Sequence, residues 1–258
     1  MIVEARQKAV LNYILKHGEV TVQQLSQMYE VSDMTIRRDL VKLESQGLIK
    51  RTYGGAIVGL GETIETSVQV RSAENLERKI AIAEVCAKLV QPKDTILMDA
   101  GTTIMEVARR LPENIGLTIV TNAITVVNAL IDKPGIEVLL LGGTLAHTPQ
   151  ATVGSGVIDS IKTLNVNRAL ITATGFSMED GLSDANIQQS EIKRQMMSRA
   201  RIRSLVIDSS KYGVLSLHRF ADLTEFDQII TDDQLDSEAL TRIQSEDIEL
   251  LLAPTKLD

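Results

Sequence analysis

Apolar residues near the start of the chain recur at the spacing of α-helices that bury one face. Val10 and Ile14 lie one helical turn apart, which predicts a helix over residues 4–17 that Gly18 ends. Thr21 is a suitable N-cap for a second, short helix that ends near residue 29. Two short amphipathic helices in succession are therefore predicted at the start of the chain.

A third predicted helix follows after a short connection and carries the clearest pattern. Ser32 is its predicted N-cap, and Ile36, Leu40 and Leu43 share one face. The side chains that then point outward are Met34, Thr35, Arg37, Arg38 and Lys42. A short helix, a tight turn and a helix with a basic outer face are typical of a helix-turn-helix, whose recognition helix meets base edges.

Residues 48–57 contain two short extended stretches with glycines between them, which predicts a hairpin, or wing, beside the recognition helix. Arg51 and Tyr53 on this hairpin are candidates for contacts with the DNA backbone. The predicted DNA-binding residues are thus Ser32, Met34, Thr35, Arg37, Arg38, Lys42, Arg51 and Tyr53. The alternative is a small helical dimerisation domain whose basic face is only solvated.

The rest of the chain alternates between short apolar runs and helical patterns. Strands are predicted at 95–99, 117–121, 136–141, 168–172, 204–208, 227–231 and 248–252. Helices are predicted at 74–90, 102–111, 122–131, 154–163, 188–200 and 236–245. This alternation indicates an α/β domain with a parallel sheet that helices cover on both faces. The expected division is 1–57 for DNA binding, 58–73 as a linker and 74–258 as the α/β domain.

Composition narrows the class of protein further. With 258 residues, 44% of them apolar, the chain is long enough for about two globular domains and too apolar for a disordered protein. One cysteine, Cys86, and three histidines argue against a disulfide framework or a structural zinc site. No apolar run reaches the length of a membrane span and the first residues lack a signal-peptide core, so we expect a soluble, cytoplasmic protein.

Charge is distributed unevenly. The net charge is −7, yet residues 1–57 carry eight Lys or Arg against six Asp or Glu, while the remainder carries 19 against 28. A slightly basic head on an acidic body suits a DNA-binding module joined to a domain that does not touch DNA. Because aromatic residues make up only 3% of the chain, a base-stacking surface for single strands is not indicated.

Polar residues gather where the predicted strands end. The run from Asp99 to Thr103 follows the first strand and opens a helix, and Thr121 with Asn122 follows the second. Gly142 and Gly143 follow the third strand, and Lys211 follows the strand that ends at 208. Ligands of open α/β sheets lie beyond the carboxyl ends of the strands, where helix N-termini favour anions. An anionic ligand is predicted, although each of these turns alone could be purely structural.

Neither a dinucleotide fingerprint nor a P-loop is present, so NAD and ATP are not indicated and we expect no cofactor.

The N-terminal signature resembles that of the DeoR family of bacterial repressors. It consists of Arg6, Val10, Ile14, Ser32, the run TIRRDL at 35–40 and RTYGGA at 51–56. The resemblance implies a winged helix-turn-helix that binds double-stranded operator DNA.

The body carries, in order, DAGTT, TN, LGG, DGL…N…E-x-K and DSSK, and resembles the C-terminal sensor domain of the same family. That domain is similar to ribose-5-phosphate isomerase and to the CoA-transferase-like fold. The resemblance implies a phosphorylated sugar or sugar alcohol as effector, with the 101–103 turn at the phosphate. The expected effector-binding residues are Asp99, Gly101, Thr102, Thr103, Thr121, Asn122, Gly142, Gly143, Asp184, Asn186, Glu191 and Lys211.

Simpler interpretations of four of these positions remain open. Glu191 falls near the catalytic carboxylate of the isomerase, but it could lie on a solvated helix face. Asp184 and Asn186 could cap the following helix, and Lys211 could be exposed without a role.

The competing function is a sugar-phosphate isomerase with a DNA-binding head. The acid-rich loop of the isomerase is replaced here by residues 172–177, which contain no carboxylate, and its glycine-rich lysine loop is absent. We therefore predict a regulator rather than an enzyme, namely a repressor of a carbohydrate-utilisation operon that a sugar phosphate releases from DNA. An activator remains an alternative.

One winged helix buries little DNA surface, so a homodimer or homotetramer is expected.

Overall fold

The computed structural model describes residues 3–45, 49–58 and 67–255. The chain divides into two compact units, Met1–Val70 and Arg71–Asp258. Among the described residues, no helix combines the length and the apolar character that crossing a membrane requires.

The first unit contains three helices and a small antiparallel sheet. Its elements are α1 (Val3–His17), β1 (Glu19–Thr21), α2 (Val22–Tyr29), α3 (Asp33–Ser45), β2 (Ile49–Arg51) and β3 (Gly55–Val58). The three strands lie in the order β1-β3-β2. The predicted helices and the β2–β3 hairpin are confirmed. Strand β1 was not predicted, because three residues between two helices give no periodic signal of their own.

Local hydrogen bonds set the ends of these helices. Gly18 has a φ of +80° and donates its N–H to the Ile14 carbonyl at 2.9 Å, which ends α1 in the left-handed conformation that glycine adopts without strain. Thr21 and Gln24 form a capping box at the start of α2. The Ser32 hydroxyl accepts the N–H of Thr35 at 3.2 Å, as its predicted capping role requires.

A buried ion pair fixes α1 against α3. The Arg6 Nε and Asp39 Oδ2 atoms are 2.6 Å apart, and Gln7 Nε2 donates to the same carboxylate at 2.9 Å. Hydrogen bonding to Asp39 raises the pKa of the Arg6 guanidinium. Both motif residues thus act inside the unit, and they orient the helix whose other face carries the exposed arginines.

The second unit is an α/β layer structure. Its helices are α4 (Val68–Ala73, which spans the boundary between the units), α5 (Leu76–Leu89), α6 (Thr102–Arg110), α7 (Ile124–Leu130), α8 (Ser155–Lys162), α9 (Ile187–Arg199) and α10 (Ser237–Gln244). Its strands are β4 (Thr95–Met98), β5 (Leu117–Thr121), β6 (Ile136–Leu140), β7 (Thr144–Ala146), β8 (Ala151–Val153), β9 (Val166–Ile171), β10 (Gly175–Ser177), β11 (Gly181–Asp184), β12 (Ala200–Val206), β13 (His218–Ala221), β14 (Gln228–Asp232) and β15 (Glu249–Ala253).

The main sheet has seven strands in the order β15-β14-β12-β9-β4-β5-β6, and every pair is parallel. All seven were predicted, because buried parallel strands are continuous apolar runs. Apolar clusters lie on both faces of the sheet. The predicted α/β class is therefore confirmed, and the carboxyl ends of neighbouring strands meet along one edge.

Two smaller sheets were not predicted. Strands β10, β11 and β13 form an antiparallel sheet, and β7 pairs with β8. Each of these five strands has only three or four residues. Glycines begin β10 and β11, and such short segments read as turns in the sequence.

The predicted linker at 58–73 is in part helical. Its residues 59–66 lie outside the described residues, whereas α4 occupies Val68–Ala73. The reason is apolar burial, since Val68 is buried and Val70 belongs to the apolar core of the first unit.

Candidate functional site

Helix α3 separates its apolar and basic residues on opposite faces. Ile36, Leu40 and Leu43 are buried in the core of the first unit. Met34 is 61% exposed, and Arg37, Arg38 and Lys42 are exposed as well. The outer face therefore offers cations and one apolar side chain in the positions from which a recognition helix contacts the major groove.

The remaining predicted DNA-binding residues differ in whether their side chains are already bonded within the unit. Tyr53 is fully exposed at the end of the β2–β3 hairpin. Arg51 instead pairs with Glu44, with Nε and Oε2 2.5 Å apart, and hydrogen bonds from Arg51 lower the pKa of that glutamate. The hydroxyls of Ser32 and Thr35 bond each other at 2.9 Å. Tyr53 is thus available for DNA, whereas Arg51 and the two hydroxyls already have partners within the unit.

In the second unit, a buried lysine lies at the carboxyl edge of the sheet. Lys193 on α9 is 2% exposed. Its Nζ lies 2.7 Å from Asp99 Oδ2 and 2.9 Å from Asp184 Oδ2, and it donates to the Thr172 carbonyl at 2.7 Å. The Asp99–Lys193–Asp184 cluster therefore joins the end of β4, the end of β11 and the middle of α9.

Further hydrogen bonds satisfy both carboxylates. Asp99 accepts the N–H groups of Ala100 at 2.7 Å and of Thr172 at 3.1 Å. Asp184 accepts the Thr174 hydroxyl and the Ala185 N–H, both at 2.9 Å. Buried charges need such partners because each loses its hydration.

The pKa shifts in the cluster show what burial does to each group. Burial raises the pKa of Asp99 despite the neighbouring ammonium. Burial also disfavours the charged form of Asp184, but the Lys193 ammonium and the hydrogen bonds outweigh it, so the pKa of Asp184 is lowered. Burial opposes the charge on Lys193, yet Asp184 and Asp99 together raise its pKa. The lysine therefore stays an ammonium.

Lys193 was not among the predicted site residues, although it is the lysine of the E-x-K motif. Glu191, which was predicted, is exposed and is not brought into the cluster. The two residues are about 200° apart around the helix, so only one of them can face the sheet. Gln189, one turn before Lys193, is also buried, and its side-chain amide has no partner among the described residues.

The 101–103 turn lies directly after Asp99. Thr102 and Thr103 are buried at the start of α6, and Thr102 Oγ1 donates to the Arg71 carbonyl at 3.4 Å. A Cβ atom on Gly101 would lie 2.4 Å from Thr172 Cγ2, so a side chain there would have to displace Thr172. The first N–H groups of an α-helix have no intrahelical acceptors, and an anion is favoured at such an end.

The polar groups at the next two strand ends are mainly hydrogen-bonded within the protein. The Thr121 hydroxyl donates to the Met98 carbonyl at 2.7 Å. Asn122 is buried, with Nδ2 bonded to the Thr152 carbonyl at 2.8 Å, while its Oδ1 has no partner among the described residues. Gly142 is exposed, and a Cβ on Gly143 would lie 2.6 Å from the Val153 carbonyl oxygen.

Two other predicted residues differ in how well they fit the simpler interpretations. Asn186 has the capping role, whereas Lys211 is not fully exposed. Asn186 caps α9, its Oδ1 accepting the N–H of Gln188 at 2.9 Å. Lys211 ends a short 3₁₀ turn, Ser209–Lys211, and is partly exposed at the end of β12. Within residues 3–45, 49–58 and 67–255, no group of three His, Cys, Asp or Glu side chains is arranged to hold a metal ion.

A basic recognition helix in one unit and polar groups at the carboxyl edge of a parallel sheet in the other define a ligand-responsive transcription regulator. Residues 6–59 match the DeoR-like helix-turn-helix domain, and residues 74–233 match the DeoR C terminal sensor domain. The chain belongs to the DeoR family of transcriptional regulators. It is a DNA-binding transcriptional regulator that also carries the sensor domain of this family.

Relatives that are similar over nearly their whole length are named as regulators. The chain is 37% identical to the HTH-type transcriptional repressor GlcR of Bacillus subtilis, over 90% of this chain and 89% of the relative. It is 32% identical to a putative aga operon transcriptional repressor of Escherichia coli O157:H7, over 96% and 93%. The sorbitol operon regulator SorC of Klebsiella pneumoniae is a solved structure with a TM-score of 0.43 and 11% identity, covering 93% of this chain and 98% of that chain.

Replacing Lys193 tests the energetics of the cluster. Lys193→Met leaves two buried carboxylates without their ammonium, and should lower the free energy of unfolding of the second unit by about 3–5 kcal/mol at pH 8. The variant's carboxyl pKa values rise, so the carboxylates become protonated more readily and the loss should be smaller near pH 5. Thermal unfolding at both pH values measures this, with exposed Lys162→Met as control. Equal losses in both variants would contradict the assignment.

Proposed function

We propose that this regulator represses carbohydrate-utilisation genes in the cytoplasm and that a phosphorylated sugar or sugar alcohol releases it from its operator. The observation that carries DNA binding is the outer face of α3, where exposed arginines lie opposite a fully buried apolar face. Relatives named as repressors, including the aga operon repressor, support the direction of regulation.

The effector proposal rests on the polar groups around the 101–103 turn. The phosphate would accept hydrogen bonds from the N–H groups and hydroxyls at the start of α6, and the positive charge of Lys211 would balance its negative charge. The sugar hydroxyls would meet the buried Asn122 Oδ1 and the Gln189 amide, which have no partners among the described residues. A sugar phosphate carries both an anionic group for the helix end and hydroxyl groups for the two side-chain amides.

Asp99 and Asp184 contribute differently in this proposal. Both carboxylates form ion pairs with Lys193. In this proposal they hold the neighbouring elements in place and do not transfer protons. Because Glu191 is exposed on the other side of α9, the base that an aldose–ketose isomerisation requires is not supplied by the residue predicted for it. The isomerase alternative is therefore not favoured by a specific observation.

The DNA assignment is tested with Arg37→Ala/Arg38→Ala. Each arginine that reads a base should contribute about 1–3 kcal/mol, and each that contacts only phosphate should reduce the salt slope by about one. Fluorescence anisotropy with a duplex selected by the wild-type chain from a random library measures both. Arg201→Ala, an exposed arginine of the second unit, is the matched control. Wild-type affinity of the double variant would refute the assignment.

We also propose that two or more copies bind one operator. A single winged helix buries too little DNA for physiological specificity, so half-sites repeated at a helical turn or its multiples are expected. Sedimentation of the free chain and of its complex with the selected duplex should show at least two chains per duplex. A monomer in both states would show this proposal to be wrong.

The effector site is tested with a panel of ribose 5-phosphate, fructose 6-phosphate, glucose 6-phosphate and glycerol 3-phosphate. A ligand at 100 times its Kd should stabilise the wild-type chain by about 2.7 kcal/mol and weaken operator binding. Lys211→Ala and Thr102→Val should lose both effects and retain operator binding without ligand, because the phosphate contacts are removed. Lys162→Ala is the control. Wild-type release by both variants would place the site elsewhere.

A further inference from the structure

A buried lysine holds the end of helix α4. Lys79, on α5, is only 4% exposed. Its ammonium donates to the carbonyl oxygens of Arg71 and Glu74, the latter at 2.6 Å. These carbonyls lie in the last turn of α4 and just after it, where a helix has unpaired carbonyls and favours a positive charge. Lys79 therefore caps the C-terminal end of α4.

The Arg71 carbonyl is shared with the 101–103 turn. Thr102 Oγ1 also donates to this oxygen, at 3.4 Å. Two donors that bond one oxygen are no more than about 6 Å apart. A phosphate group on the turn can therefore bond the Thr102 hydroxyl and the Lys79 ammonium together, in direct competition with the Arg71 carbonyl.

Burial leaves the charge of the Lys79 ammonium only partly compensated in the free chain. Burial is the main cause that lowers the pKa of Lys79 to about 8; Asp208 and Glu74 oppose this effect, while Lys211 and Arg71 add to it. The Lys79 ammonium is hydrogen-bonded to neutral carbonyls, and burial lowers its pKa more than Asp208 and Glu74 raise it, so a bound phosphate dianion would stabilise its charged form. Binding of the anion would also favour the protonated form of Lys79.

Helix α4 is the segment through which the chain passes from one unit to the other. The boundary lies after Val70, which belongs to the apolar core of the first unit, and Arg71 is the first residue of the second. A change in the hydrogen bonds of Arg71 therefore acts on the chain at its entry into the sensor unit.

We propose that Lys79 couples the effector site to helix α4. A phosphate on the 101–103 turn takes the Thr102 hydroxyl and the Lys79 ammonium from the Arg71 carbonyl, and the end of α4 loses its cap. This inference rests on the proposed function and names the positioning residue that transmits the effector signal. It requires the coupling between sites, and not merely ligand affinity, to depend on Lys79.

The test compares operator affinity with and without saturating ligand. The probe is the member of the sugar-phosphate panel that most stabilises the wild-type chain. A wild-type coupling of about fivefold or more is expected, and Lys79→Met should reduce it towards onefold while still binding the probe through the turn. A residue that only contributed affinity would leave the coupling at saturation unchanged. Lys88→Met, an exposed lysine on the same helix, should behave as wild type.

A second measurement does not depend on the variant's stability. Calorimetric titration of the wild-type chain at pH 8, in two buffers of different ionisation enthalpy, should show proton uptake when the probe binds, since the anion raises the pKa of Lys79. A phosphate monoester, with a second pKa of about 6, is already a dianion there. The charged groups that face Lys79 are Asp208, Glu74, Lys211 and Arg71, and Lys79→Met should abolish the uptake if Lys79 is its source.

Wild-type coupling in Lys79→Met, or probe binding by the wild-type chain without proton uptake at pH 8, would overturn the inference. These failures differ from failure of the proposed function. A wild-type chain that binds no duplex, or that no sugar phosphate releases, would refute that function and the inference with it.

Discussion

The sensor unit depends on one ammonium buried between two carboxylates. Each of these charges would cost several kcal/mol if it were buried alone, so the arrangement persists only with all its partners present. Lys193 therefore ties α9 to the carboxyl end of β4 and, through Asp184, to the small antiparallel sheet. The consequence is an edge next to the 101–103 turn whose buried charges are already paired. At Asn122 Oδ1 and the Gln189 amide it carries polar atoms that have no hydrogen-bond partner within the part of the chain that the structure describes.

The first unit uses a buried charge for a different purpose. In the run Arg37-Arg38-Asp39, the two arginines are exposed while the aspartate is buried in its ion pair with Arg6. The pair sets the rotation of α3 about its axis and so determines which residues face outward. One short motif thus combines a residue that orients the helix with residues that the helix presents on its exposed face.

The sequence predicted the seven parallel strands and the three N-terminal helices, because continuous apolar runs and helical periodicity are local signals. Lys193 could not be found in this way, since a charged residue on a helix normally lies in water and its partner Asp99 is 94 positions away. The same difficulty affected Glu191, which shares the motif but points to solvent. Strands β10, β11 and β13 were missed because each has only three or four residues, and two of them begin with a glycine. The family resemblance supplied the ligand class, which no periodicity contains.

In the proposed function, one chain links a sugar-phosphate site to an operator-binding face. Linkage requires the two ligands to affect each other equally. The direct measurement is therefore the affinity of the best panel sugar phosphate for the free chain and for the chain saturated with its selected duplex. We expect the sugar phosphate to bind the DNA complex more weakly, by the same factor of about fivefold or more by which it weakens DNA binding. Equal affinity in the two states would show that the two sites are not linked.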